Sequence, residues 1–385
     1  MNKVESIVLY IMCFAAFGNL YYLAPLIGMS HNTFLIICLV ITFLFSFRYL
    51  LKYRKSYYNK FFLLFLLIST FLIPFNISNG YIIRPNDMIR VFWFVCMFNW
   101  IREFNRDKNS LSLFLKRISY LLFILFVVLS FFEHNSRILF QTIVYGEEVE
   151  EISLLGRLAI TYRDANVYSA IICFFLYVLL RTEDKTLLQL LMLATSAIII
   201  NLTGSRMGGL IFLVIFLWWL LNQTKKKLII LVAILAGVLY LHIGDLSNLA
   251  TTEEQSLISR ITGATDSGER STQGREETLK DGISFGLGDN LWMPAGNFYF
   301  DYKWRHTTNH GYHFPHSGFV YLLCEYGIFS LFVFFFFFKL FLLAKKNREL
   351  LLYIVAIAPL LFLPNSLYIF PLYFGAFLIE CKPLK

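Results

Sequence analysis

The sequence predicts an all-α, polytopic membrane protein with about twelve transmembrane helices, and three observations carry that reading. Of 385 residues, 58% are hydrophobic, 18% aromatic and only 15% charged, too little charge to cover a water-soluble protein of this size. The mean hydropathy is +0.63. Apolar runs recur along the whole chain at the length that a hydrocarbon core about 30 Å thick demands. A net charge of +9 could suggest nucleic acid. Basic residues beside membrane spans set topology instead, so no nucleic-acid partner is expected.

In chain order the spans fall at approximately 6–27, 32–50, 60–77, 86–101, 118–133, 165–181, 186–203, 207–222, 227–244, 316–338, 350–364 and 367–381. The first follows Lys3 but is too long, and lacks a convincing cleavage site, for a signal peptide. Pro364-Asn365-Ser366 is a turn signal, which makes the last two spans a tight hairpin. The six cysteines lie in or at the ends of apolar runs without a CxxC pair, as packing residues do. With the N-terminus inside, 22 of the 34 Lys and Arg fall in the short cytoplasmic connections. That bias places both termini in the cytoplasm and two long loops, 134–164 and 245–315, outside. Residues 1–385 then form a single integral membrane domain. The second loop opens on the polar stretch "SGERSTQGREETLKDG" and continues as the aromatic "NLWMPAGNFYFDYKW", suited to a membrane interface or to stacking on sugar rings. Structureless loops of this length are usually functional, so the chemistry is expected to face outward.

Four of the seven histidines, His306, His310, His313 and His316, crowd into one short stretch of that loop. Gly311 and Pro315 interrupt any helix there and no cysteine supports a metal, so no metal site is expected. Incidental loop histidines and catalytic or substrate-binding use of at least one both remain open. His316 and Ser317 follow Pro315 at the mouth of a span, where Ser can cap a helix whose free N–H groups favour an anion. On a straight helix Gly327 would share the His316 face, leaving a shallow groove beside Ser330. Glu325 would point the opposite way, as a partner for another helix. Arginines are the second oddity of the outer side: Arg157 and Arg163 in "GRLAITYRDAN", Arg206 in "TGSRMGG", Arg270 and Arg275 in "GERSTQGREE". The acidic stretch "GEEVEE" could pair with some of them. The alternative is an anionic ligand, a phosphate or diphosphate at the membrane, which the arginine fork of donors suits.

His316, Ser317, Gly327 and Ser330 spell H-S-x9-G-x-x-S, which resembles the signature of the O-antigen polymerase and O-antigen ligase superfamily. Its commonest form ends in Gly where this chain has Ser330. Further pieces follow in the family's order: "RDAN" before a span, "SR" before the next outer-side span, and "GREETLKDGISFGLG" in the large loop. The resemblance covers roughly residues 150–345. It implies a GT-C-like architecture and an inverting, metal-independent glycosyltransferase without cofactor, in a bacterial inner membrane with its active site facing the periplasm. Its substrate would be an undecaprenyl-diphosphate-linked oligosaccharide among membrane lipids, with a chain-length regulator and a flippase as possible partners. The acceptor would be another lipid-linked repeat unit in a polymerase for O-antigen, capsule or exopolysaccharide, or lipid A–core in a ligase. Carried over by position, His316 would act on the acceptor hydroxyl, and Arg163, Arg206 and Arg275 would hold the diphosphate. Arg157, Arg270, His313, Ser317 and Gly327 complete the expected substrate site. A polysaccharide or lipid transporter is the reading from another class. It would place paired charges at mid-membrane, whereas here they lie at the outer rim.

Overall fold

A computed structural model describes residues 3–74, 86–104, 106–136, 139–140, 142–143, 157–162, 164–222, 266–288, 291–292, 317–362 and 370–381. Every regular element among them is helical. The ninth expected span (227–244), the Pro364-Asn365-Ser366 turn, "GEEVEE" and the histidine cluster lie outside the described residues. The chain divides into two compact units, Met1–Phe114 with Arg270–Lys385, and Leu115–Glu269.

The first unit begins with α1 (Lys3–Phe17), a 3-10 segment (Leu20–Ile27), α2 (His31–Lys52), α3 (Tyr57–Phe71) and α4 (Asn86–Phe104). The expected first span, 6–27, is broken. Asn19 adopts a left-handed conformation (φ 55°), and the following segment, which contains Pro25, leaves α1 at 103°. Continuous apolarity hid a break that one asparagine and one proline impose. Ser30 and Ser56 cap α2 and α3 by accepting from the N–H groups of Thr33 and Asn59. α2 lies along α4, with Trp93 Nε1 donating to Thr42 Oγ1 at 2.9 Å. Phe98 stacks on Phe17, Phe374 and Phe377 at the centre of this unit. The outer face of α2 exposes Ile36, Val40, Leu44, Phe47 and Leu51, a row that lipid accommodates and water would not.

The second unit comprises most of α5 (Lys108–Asn135), then α6 (Ala165–Thr182), α7 (Thr186–Thr203) and α8 (Arg206–Leu221). α6 is apolar on all sides and buried almost throughout, as a helix at the middle of a bundle must be. Close packing rather than hydrophobic drive holds such helices together in lipid. Gly208 of α8 shows this, because a Cβ there would come within 2.4 Å of the Ser169 Cβ on α6.

Residues 245–315, expected as one long loop, contain a helix that hydropathy does not reveal, α9 (Asp266–Leu287). Its polar surface, with a Glu276–Lys280 pair one turn apart at 2.8 Å, gave it the look of a structureless loop. It buries a stripe of Thr278, Gly282 and Gly286 at four-residue spacing. The tenth expected span is likewise not one straight helix. It consists of α10 (Gly318–Tyr326), a 3-10 turn (Gly327–Phe329) and α11 (Ser330–Asn347). Gly327 sits at φ 51°, ψ −130°, a conformation open to glycine and costly for other residues. The straight register expected from Gly327 to Ser330 is therefore broken, while the face expected to be shared with His316 lies outside the described residues. α12 (Leu350–Phe362) and α13 (Phe370–Cys381) close the first unit and pack against each other.

Five described helices are long and apolar enough to cross a membrane, six if the bent pair at the N-terminus is one span. Four shorter apolar helices accompany them. The chain is thus helical and multi-pass, while twelve spans remains an expectation.

Candidate functional site

Within the second unit, residues expected on the same side of the membrane meet at the same end. Asp164, the N-cap of α6, accepts from the N–H groups of Asn166 (2.7 Å) and Val167 (3.3 Å). Gly204 ends α7 in the left-handed conformation, and Ser205 starts α8 by accepting from Gly208 N–H at 3.1 Å. Asn166 ties the two turns together. Its Oδ1 accepts from Ser205 Oγ at 2.9 Å and from Arg157 Nη2 at 3.0 Å. Arg157 also donates Nε to the Thr203 carbonyl at 2.7 Å, and Leu158 N–H donates to the Leu202 carbonyl at 3.2 Å. The "RDAN" and "SR" pieces of the sequence are therefore one hydrogen-bonded assembly. Arg206, the first residue of α8, is exposed at the edge of this assembly. A guanidinium on a helix N-terminus is a natural anion contact, since charge and free N–H groups act together.

A buried carboxylate underlies the assembly. Glu133, near the end of α5, has 0% exposure and accepts from the backbone N–H groups of Ala159 (3.2 Å) and Ile160 (2.6 Å). Ile160 has φ 42°, a rare and strained choice for a β-branched residue.

In the first unit, α9 docks on α10. Cys324 Sγ lies 3.2 Å from the Gly282 carbonyl, and Phe285 packs on Tyr321 and Cys324. Gly286 is required by proximity, since a Cβ there would stand 2.9 Å from Leu323 Cγ. The helix carrying "GREETLKDGISFGLG" is thereby fixed to the helix that starts just after His316-Ser317 in the chain. By helical register, position 275 falls on the same side of α9 as Thr278, Gly282 and Gly286. Glu325 is buried inside this unit at 1% exposure.

Of the sequence-derived site residues, Arg157, Arg206, Ser317 and Gly327 are described in full. Arg157 is engaged in binding its own backbone neighbourhood. Ser317 occupies the N-cap of α10 without making the expected side-chain cap bond, and Gly327 serves as a hinge of the backbone. Arg270 and Arg275 belong to α9, but their side chains, like Arg163, His313 and His316, lie outside the described residues. Sequence reasoning assigned no role to Asn166, Ser205 or Glu133. The first two stood in view as letters of the quoted pieces. Glu133 was available by the rule applied to Glu325, an acid at the end of an apolar run.

Residues 191–335 match the family model described as O-antigen ligase. This stretch runs from the first turns of α7 through α8, α9 and α10 into α11, and bears out the resemblance to the O-antigen polymerase and ligase superfamily. No curated protein and no solved structure matches the chain.

Proposed function

We propose that the chain is a repeat-unit polymerase that transfers an oligosaccharide from undecaprenyl diphosphate to another lipid-linked repeat unit at the periplasmic face of a bacterial inner membrane. The joining of the "RDAN" piece, through Asn166, to Ser205 of the "SR" piece, which lies in the matched segment 191–335, supports this reading. In the proposed reaction the acceptor hydroxyl attacks the anomeric carbon from the face opposite the diphosphate. The new C–O bond forms as the bond to the diphosphate oxygen breaks, which inverts configuration. The hydroxyl proton passes to His316, and undecaprenyl diphosphate leaves with the bonding pair. Arg163, Arg206 and Arg275 neutralise the leaving group, so the site needs charge, positioning and a base near neutral pH rather than a metal. Arg157 belongs to the scaffold of this site, and Arg270 and His313 to its rim.

The second reading is a ligase that delivers glycan to lipid A–core, favoured by the description of the matched family. Purified protein given one lipid-linked repeat unit and no lipid A separates the two. A ladder of products supports the polymerase. Product only on addition of lipid A–core supports the ligase, and no product with either acceptor removes both. For sidedness, a thiol reagent confined to the outside should label a cysteine placed at Thr272 and spare one at Lys226.

A further inference from the structure

We propose that Glu133 is a positioning residue for glycan transfer, holding the strained 157–162 segment so that the residue following it, Arg163, meets the substrate. The proposal rests on the transferase reading above.

Three observations converge on this carboxylate. It is fully buried at the end of α5, where an acid is costly unless something in the fold needs it. Both of its oxygens face the main chain of one short segment, the N–H groups of Ala159 and Ile160. A charge-assisted pair of this kind is among the stronger ways to impose a backbone geometry. The geometry imposed is one that the residue itself resists, since Ile160 stands at φ 42°. Strain of this sort persists only where the surroundings over-determine it, and it concentrates at functional sites.

What the strain achieves follows from the chain. Ile160 opens a tight turn, Ile160–Tyr162, that ends one residue before Arg163, and Asp164 on the other side is locked as the cap of α6. Upstream, Leu158 and Arg157 are bound to the Leu202 and Thr203 carbonyls beside Ser205 and Arg206. Glu133 therefore fixes one flank of Arg163 while Asp164 fixes the other. In this proposal it acts through the backbone of the 157–162 segment.

The test uses the full-length purified protein with an undecaprenyl-diphosphate-linked repeat unit, comparing wild type, Glu133→Ala, and Glu133→Ala combined with Ile160→Gly. Glycine adopts positive φ without restraint, so the second change relieves the strain that Glu133 otherwise has to hold. Turnover per folded molecule should fall on the order of 10²-fold in Glu133→Ala, the cost of small misplacement, and recover in part in the double variant. An independent readout needs no glycan. With Arg163→Cys as probe, the labelling rate by an impermeant maleimide should change severalfold when Glu133→Ala is added, after correction for the native cysteines. Unchanged labelling, or normal turnover by folded Glu133→Ala protein, overturns the proposal. If labelling shifts while the wild type transfers no glycan to any acceptor, the positioning holds and the transferase reading fails.

Discussion

The two ends of the second unit hold their acids with different sets of partners. At one end Glu183 is answered by side chains: Tyr120 O–H, the Lys116 ammonium at 3.0 Å and, from the backbone, Lys185 N–H. Burial pushes the Glu183 carboxyl up, but these partners outweigh it and hold the group down at about 2. The first unit repeats the pattern where Glu103 receives Lys52, Tyr53 and Arg106, and Glu380 pairs with Arg102. At the other end Glu133 and Asp164 turn to main-chain N–H groups. The first arrangement is anchoring, in which opposite charges cancel at the ends of helices. The second uses acids to shape the backbone around arginines. In the proposed reading the first arrangement serves stability and the second serves the site for an anionic substrate.

The largest expected effect belongs to the proposed base. His316→Ala should lower turnover of lipid-linked substrate by about 10²–10⁴-fold, the usual contribution of a general base, with the protein still folded in the membrane. His313→Ala should cost less. Kinetics at matched expression decide it: activity from His316→Ala together with a dead His313→Ala would move the role to the other histidine.

A smaller effect should come from the joint between α9 and α10. Gly286→Ala crowds Leu323, and overpacking of this kind costs about 1–3 kcal/mol. Adding Leu323→Ala removes the crowding atoms, so activity and thermal stability should return together in the double variant. A double variant worse than both singles would mean that α9 does not dock on α10 in this way.

The smallest effect on chemistry is expected at the anchoring end. Glu183→Gln should lower stability in detergent at neutral pH by about 1.5–3 kcal/mol, the worth of bonds to a charged group, and leave turnover per folded molecule unchanged. The folded carboxyl sits near 2, below its ordinary 4.5. Its contribution is therefore complete above roughly pH 4.5 and fades as pH falls toward 2. Wild type should lose melting temperature over that window more steeply than Glu183→Gln. Parallel curves would show that Glu183 is not held in its charged form.

The helical class and the positions of most apolar helices were legible because lipid demands continuous apolar runs. The breaks were less so: Asn19 and Gly327 act through backbone conformation, which hydropathy does not register. α9 escaped because its buried stripe consists of Thr278 and two glycines, residues that carry almost no hydrophobic signal. The candidate site was visible as pieces in order, "RDAN", "SR" and "GREETLKDG". That Asn166 joins the first two, and that Gly282 and Gly286 seat the third on α10, are facts of packing between distant segments.

The central claim, that the chemistry belongs to the shaped end, is tested most directly by two arginines at opposite ends of the second unit. Arg206 is exposed beside Ser205, whereas Arg181 donates to Tyr177 Oη at 3.0 Å and lies over the Trp218 ring. Turnover of an undecaprenyl-diphosphate-linked repeat unit should be measured for Arg206→Ala and Arg181→Ala at equal amounts of folded protein. Arg206→Ala should lose roughly 10–100-fold, the worth of one charge-assisted contact, and Arg181→Ala should stay near wild type. Normal turnover from Arg206→Ala beside a dead Arg181→Ala would place the chemistry at the other end of the bundle and contradict the account.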